Sequence, residues 1–116
     1  MEIDEEETND VHVVVLLYQN YIQNCNKLDK IFSSLSHMFQ TTKFLKIEAT
    51  KAIDRYDDIA VPTVCIYYHG KQIGTFIRFT DEFPLNYNLN HIAYFMAKKG
   101  WIDANRDQIE EFKKEI

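Results

Sequence analysis

Two spacings of apolar side chains run through this chain, and each predicts an element. Val11 to Tyr18, "VHVVVLLY", is a nearly continuous β-branched and apolar run, the pattern of a strand covered on both faces. It predicts a central parallel strand. From Asn26 the apolar positions Leu28, Ile31, Phe32, Leu35, Met38 and Phe39 fall three or four apart, with Lys27, Asp29, Lys30, Ser33 and Ser36 between them, which predicts an amphipathic helix. "KFLKIE", Lys43 to Glu48, then reads as a short strand. A strand, a helix and a strand in this space fit a right-handed crossover with the strands parallel.

"TKAIDRYDDI" predicts a short helix with Ala52, Ile53 and Tyr56 on one side, stopped before Pro62. "TVCIYY" and "QIGTFIRF" flank His69, Gly70 and Lys71, a short glycine-bearing connection that signals an antiparallel hairpin. Leu89, Ile92, Ala93, Phe95 and Met96 line a further helix, with Lys98, Lys99 and Gly100 supplying a basic last turn and a C-terminal cap. Asp103 is the candidate N-cap of a terminal helix whose thin stripe is Ile109, Phe112 and Ile116. A helix so short is marginal alone, and it is expected to lie loosely on the body or to meet a partner. The order β-α-β-α-β-β-α with an extra helix predicts an α/β fold, a central mixed sheet with flanking helices.

With 116 residues, 46% of them hydrophobic, the chain builds one domain with its own core. Its net charge of −5 is uneven. Glu2, Asp4, Glu5, Glu6, Glu7 and Asp10 crowd the first ten residues, which reads as a solvated, disordered acidic arm over 1–10. The domain proper is placed at 11–102 and a C-terminal helical extension at 103–116. Residues 11–100 carry ten Lys and Arg against seven acids, so the body is about +3. No apolar run approaches the roughly 20 residues of a membrane span. The N-terminus has acids where a signal peptide has bases. Two cysteines, Cys25 and Cys65, are no disulfide framework, and a cytoplasmic location is expected.

Candidate chemistry is sparse. His12, His37, His69 and His91 share no ligand spacing, so no metal site is expected. Gly70, Gly74 and Gly100 are scattered and form no phosphate loop, and no cofactor is implied. Asp54 to Asp58, "DRYDD", contains paired carboxylates, but its neighbours supply nothing to shift their pKa values, and a solvated helix end is the reading. Ten bases and many aromatics would suit single-stranded nucleic acid, but no ribonucleoprotein motif is present and the acidic ends oppose a phosphate backbone. Alternation places Phe76 and Arg78 on one face of their strand, Ile77 and Phe79 on the other. With Tyr67 or Tyr68, the residues Phe76, Arg78, Phe83 and Tyr87 are expected to include an exposed aromatic patch around an arginine, the composition of a partner-binding surface. Cys65 lies in an apolar strand and reads as core.

The order of elements, with Val61-Pro62-Thr63 entering the hairpin, resembles the thioredoxin fold. That resemblance implies a cis bond before Pro62. It also implies that the turn after the first strand corresponds to Cys-x-x-Cys, where a helix N-terminus stabilises the attacking thiolate. On that turn Cys25 takes the resolving position and Ile22 the attacking one. An isoleucine forms no thiolate, so a two-cysteine exchange cycle there is excluded and the chain is expected not to be an enzyme. The alternative is a single-cysteine redox protein using Cys25 for mixed-disulfide or glutathione chemistry; a scaffold acting through the terminal helix comes third.

A narrower resemblance covers roughly 11–102. "VVVLLYQNYIQNCNKLDKIFSSLSHMFQTTKFLKIEA", "DRYDDIAVPTVCIYYHGKQIGTFIRFTDEF" and "NLNHIAYFMAKKGWI" are similar to the thioredoxin-like domain of phosducin and the phosducin-like proteins. Shared cues are a tyrosine ending the strand, one Cys in the turn, Lys-Phe-x-Lys-Ile, Pro62 before the hairpin and Phe-Ile-Arg after it. The resemblance implies a protein-binding module. Members bind the βγ dimer of heterotrimeric G proteins, and phosducin-like members act with the cytosolic chaperonin on client proteins. It also implies that the usual helical N-terminal region and the usual first strand and helix are lacking, so that the chain is a fragment or a shortened member. Lys43 to Glu48 is then an edge strand, to be paired by the arm or, in edge-strand self-association, by a second copy.

Overall fold

β1, His12–Tyr18, is the axis of the molecule: its residues Val13 to Leu17 are each at most 1% exposed. A computed structural model describes residues 10–116. The acidic arm predicted over 1–10 therefore lies outside the described residues, apart from Asp10. β1 pairs in parallel with β2, Lys43–Glu48, and antiparallel with β3, Thr63–Tyr68, which pairs antiparallel with β4, Lys71–Phe76. The sheet order is β2-β1-β3-β4, with Val15 opposite Leu45 on one side and Cys65 on the other. β2 is thus an edge among the described strands.

Because side chains alternate across a strand, β1 divides its apolar run between two cores. Val14 and Leu16, with Val64 and Ile66 of β3, meet α1, Gln23–Met38, and α3, Leu89–Lys98. The predicted stripe is the one buried there: Leu28, Phe32 and Leu35 from α1, Ile92, Ala93 and Met96 from α3. Met38 turns out to solvent at 49% exposure, since the helix ends on it and Phe39 turns inward instead. Val13, Val15 and Leu17 face the other way, with Cys25, Ala49, Cys65 and Tyr67. α3 stops where glycine permits it: Gly100 has φ of +79°, a left-handed conformation that a Cβ disfavours.

The structure corrects several sequence expectations. The helix expected over 50–59 is one turn, α2, Ala49–Ala52; Ile53 is extended and 47% exposed, and Arg55 has a positive φ of 58°. The Asp57 carboxylate accepts from the Ile59 amide and opens a 3₁₀ turn, Asp58–Ala60, a local bond that competes with helix. The last strand ends at Phe76, short of the expected Phe79. Arg78 is left-handed at φ 53°, its amide donates to Ala60 O at 3.1 Å, and the Phe79 amide donates to Pro62 O at 2.8 Å. The chain is therefore folded back over the start of β3. Phe76 and Arg78 do not share a strand face, and Phe79 is 0% exposed while Ile77 is 61% exposed.

The terminal helix α4, Arg106–Lys114, is capped by Asn105 and not by Asp103. Asn105 Oδ1 accepts from the Gln108 amide and Gln108 Oε1 accepts from the Asn105 amide, both at 2.8 Å, a reciprocal capping box. Phe112 is buried against Phe39, ring centroids 6.2 Å apart, so the stripe does anchor on the body. Asn105→Ala is expected to lower stability by about 1 kcal/mol in urea unfolding, while Asp103→Ala leaves it unchanged; the reverse order would refute this cap.

Candidate functional site

β1 leaves the sheet at Tyr18 and the chain turns through Gln19 to Ile22, closed by the Ile22 amide donating to Gln19 O at 3.1 Å. α1 opens at Gln23, earlier than Asn26. Ile22 occupies the N-cap position in an extended conformation, with no side-chain cap bond. Its carbonyl accepts from the Cys25 amide at 3.0 Å and the Asn26 amide at 3.3 Å. Ile22 therefore stands at the positive end of a 16-residue helix, where an anionic sulfur would be stabilised and a hydrocarbon gains nothing. Cys25, one turn on, is 0% exposed within the second core.

Burial is the main reason the Cys25 thiol is pushed above its ordinary pKa, and the charge of Asp58 adds to it, against a lowering hydrogen bond from the Gln19 backbone. Burial likewise raises Cys65, despite a hydrogen bond to Thr75. A thiolate is disfavoured at both. Since the fold prefers these thiols protonated, their contribution is intact below the ordinary thiol value near 9.0 and is lost as pH rises through the raised folded values. Iodoacetamide at neutral pH is expected to label neither cysteine until the chain is unfolded, and stability should decline above about pH 9. Labelling of the folded chain at the rate of a free thiol would contradict this.

Beside the turn, the Val61–Pro62 peptide bond is cis. Tyr21, on the turn, donates its hydroxyl to both carboxylate oxygens of Asp58 at 2.7 and 2.8 Å, and that hydrogen bond leads the causes that raise the tyrosine's pKa. Asp58 adjoins Ile59, and Ala60 accepts from Arg78, which adjoins Ile77. Three segments thus meet at the end of the sheet where β1 and β4 finish and β3 begins. Each brings one large apolar side chain to solvent: Tyr21 at 64%, Ile59 at 65% and Ile77 at 61%. Sequence reading missed all three, because they lie on three separate segments and only chain crossing joins them.

The expected aromatic patch lies elsewhere. Tyr87 is 4% exposed, with its hydroxyl donating to Asn24 Oδ1 at 2.7 Å and its pKa pushed up to about 12, chiefly by burial. Phe76 and Phe83 are half-buried and pack their rings on Phe79 and Phe95. Tyr68 stacks on His12 at 4.5 Å, at the end of β3 remote from Pro62. Arg78 alone is on the surface, its Nε 2.7 Å from Asp81. These five are not brought together, since rings of this size bury more area against one another than in a shared surface patch. The histidines are dispersed: His37 bonds Ser33 O, His91 closes the cap of α3 and His69 faces Asp10. No group of side chains among the described residues could hold a metal.

A family model described as phosducin matches residues 1–109 of this chain. Phosducin-like protein 1 of Dictyostelium discoideum is 37% identical over 96 residues, which is 83% of this chain and 30% of that protein. Human phosducin is 28% identical, over 98% of this chain and 47% of its own length. The chain therefore spans less than half of either relative. Among solved structures, Fasciola hepatica thioredoxin superposes with a TM-score of 0.54 at 20% identity, covering 62% of this chain and 72% of the thioredoxin. Oxidised thioredoxin O2 of Arabidopsis thaliana gives 0.54 at 14% identity over 81% of each chain. The fold is thioredoxin-like.

Proposed function

The chain belongs to the phosducin family, and from that premise we propose that it is a non-catalytic, thioredoxin-like protein-binding domain. It acts by contact, as a co-chaperone of the cytosolic chaperonin or a regulator of G-protein βγ assembly. The observation that carries this reading is the pairing of Ile22 at the helix start with a fully buried Cys25. A site that exchanges disulfides needs an accessible thiolate, and this turn offers a hydrocarbon and a protonated thiol. Tyr21, Ile59 and Ile77 give the same end of the sheet the exposed apolar character of a contact surface. The same two facts weigh against the single-cysteine redox alternative.

A cytoplasmic location belongs to the proposal: both cysteines are free, which suits a reducing compartment. No described helix is long and apolar enough to cross a membrane.

Two measurements test the reading. The purified chain should not reduce insulin disulfides above the rate of dithiothreitol alone; turnover would refute it. Immobilised chain should retain chaperonin subunits or a G-protein β subunit, and a Tyr21→Ser, Ile59→Ser, Ile77→Ser triple variant should retain less. Failure to retain either would remove the positive half of the claim. Edge-strand self-association through β2 is a further part of the proposal. It predicts a mass above the monomer by light scattering and slow amide exchange from Phe44 to Ile47; a monomer with rapid exchange there would count against it.

A further inference from the structure

α1 and the loop that leads into α3 face each other across a groove of about 740 Å³ that starts at Gln23, just past the turn. Its walls are apolar at Ile31, Leu85 and Leu89, and its floor is Tyr87. Leu85 is fully exposed, a large side chain held in water at the rim. The floor is fixed: the Tyr87 hydroxyl is bonded to Asn24, and the Lys27 ammonium lies 3.7 Å from the centre of its ring.

The charge in this groove has one sign. Lys27 and Lys30, three apart on α1 and so on one face, line it, and no Asp or Glu does. Neither lysine has an ion-pair partner among the described residues. The helices that border the groove, α1 and α3, both begin there, and neither has an acid in its first turn. The partial positive charge of each helix start therefore adds to the two ammoniums. The groove thus concentrates part of the positive charge that residues 11–100 carry, ten Lys and Arg against seven acids.

We infer that the groove between α1 and the 85–89 loop docks an acidic peptide segment of a partner protein, one that carries an apolar side chain between its carboxylates. The carboxylates pair with Lys27 and Lys30, and the apolar side chain covers Leu85 and Leu89. Both halves are required by the lining, because a purely acidic peptide leaves Leu85 in water and an apolar one leaves the lysines unpaired. The inference rests on the reading of the chain as a protein-binding domain.

The test uses fluorescence anisotropy with a labelled short peptide of glutamates around one leucine, and its glutamine counterpart. The acidic peptide should bind and the glutamine peptide should bind about tenfold more weakly or not at all. The double variant Lys27→Glu, Lys30→Glu should lose roughly tenfold in affinity, and Leu85→Ser several-fold, each with an unchanged circular dichroism spectrum. Lys98→Glu with Lys99→Glu, at the far end of α3, should leave affinity unchanged. Amide shifts on peptide addition should centre on residues 23–31 and 85–89. Equal binding of both peptides, equal loss in the two lysine double variants, or shifts centred elsewhere, including on a second copy or the chain's own first residues, would overturn the inference. The insulin assay is independent of all of these, so a groove that binds nothing would leave the non-catalytic reading standing.

Discussion

Phe79→Ala is expected to destabilise the chain by about 3–5 kcal/mol, moving its urea midpoint far more than any surface change. Phe79 is 0% exposed and sits among four other rings, with centroids at 5.3 Å to Phe83, 5.6 Å to Phe95, 5.8 Å to Phe76 and 6.3 Å to Phe32. Three of these contacts are edge-on, an arrangement that adds about 0.5–1.5 kcal/mol per pair beyond area burial. The rings come from β4, α1, α3 and the 79–87 segment, so the cavity left by truncation has no single element that can collapse into it. A domain of this size has a total stability of about 5–15 kcal/mol, and the loss is a large share of it. Ile77→Ala, two residues away and 61% exposed, should stay within about 0.5 kcal/mol. If the two substitutions shifted the midpoint equally, the central place given to Phe79 would be wrong.

Ile22→Cys is expected to give slow insulin turnover, where the proposal expects none from the unsubstituted chain. The substitution puts a thiol at the N-cap position of α1, with Cys25 one turn further and its amide already bonded to the carbonyl of residue 22. The helix start lowers the pKa of a thiol placed there, while the buried Cys25 keeps its proton until it resolves the mixed disulfide. Ile22 is only partly buried, so its replacement by a smaller side chain should cost about 1 kcal/mol. The readouts are insulin turbidity and loss of both free thiols on mild oxidation. A folded variant with no disulfide and no turnover would show that the turn departs from the redox geometry by more than one side chain.

The elements whose patterns were strong are the ones found. The β-branched run of β1, the three-and-four spacing of α1 and α3, the glycine-bearing hairpin and the left-handed Gly100 are each set by residues near one another in sequence. The two departures have different causes. Ala52, Ile53 and Tyr56 have helical spacing, but α2 ends at Ala52 with Ile53 extended, and the Asp57 carboxylate then opens a separate 3₁₀ turn. Alternation of residue types persists to Phe79, beyond the end of β4 at Phe76. The bond from the Phe79 amide to Pro62 O, between segments far apart in sequence, is what bends the chain.

The candidate site divides in the same way. Residue identity shows an isoleucine at 22 and a single cysteine in the turn; that Ile22 stands where an attacking sulfur would be is what the thioredoxin resemblance implies, and it belongs to the proposal. Whether an aromatic side chain faces solvent is decided by what crosses over it: Phe76 and Phe83 pack on Phe79 and Phe95, and Tyr87 is buried. The exposed Tyr21, Ile59 and Ile77, and the positive groove of Lys27, Lys30 and Leu85, exist only because separate segments meet in space. Local composition determined the elements; which side chains face solvent was decided by tertiary contacts, since exposure belongs to the folded neighbourhood of a residue and not to the residue itself.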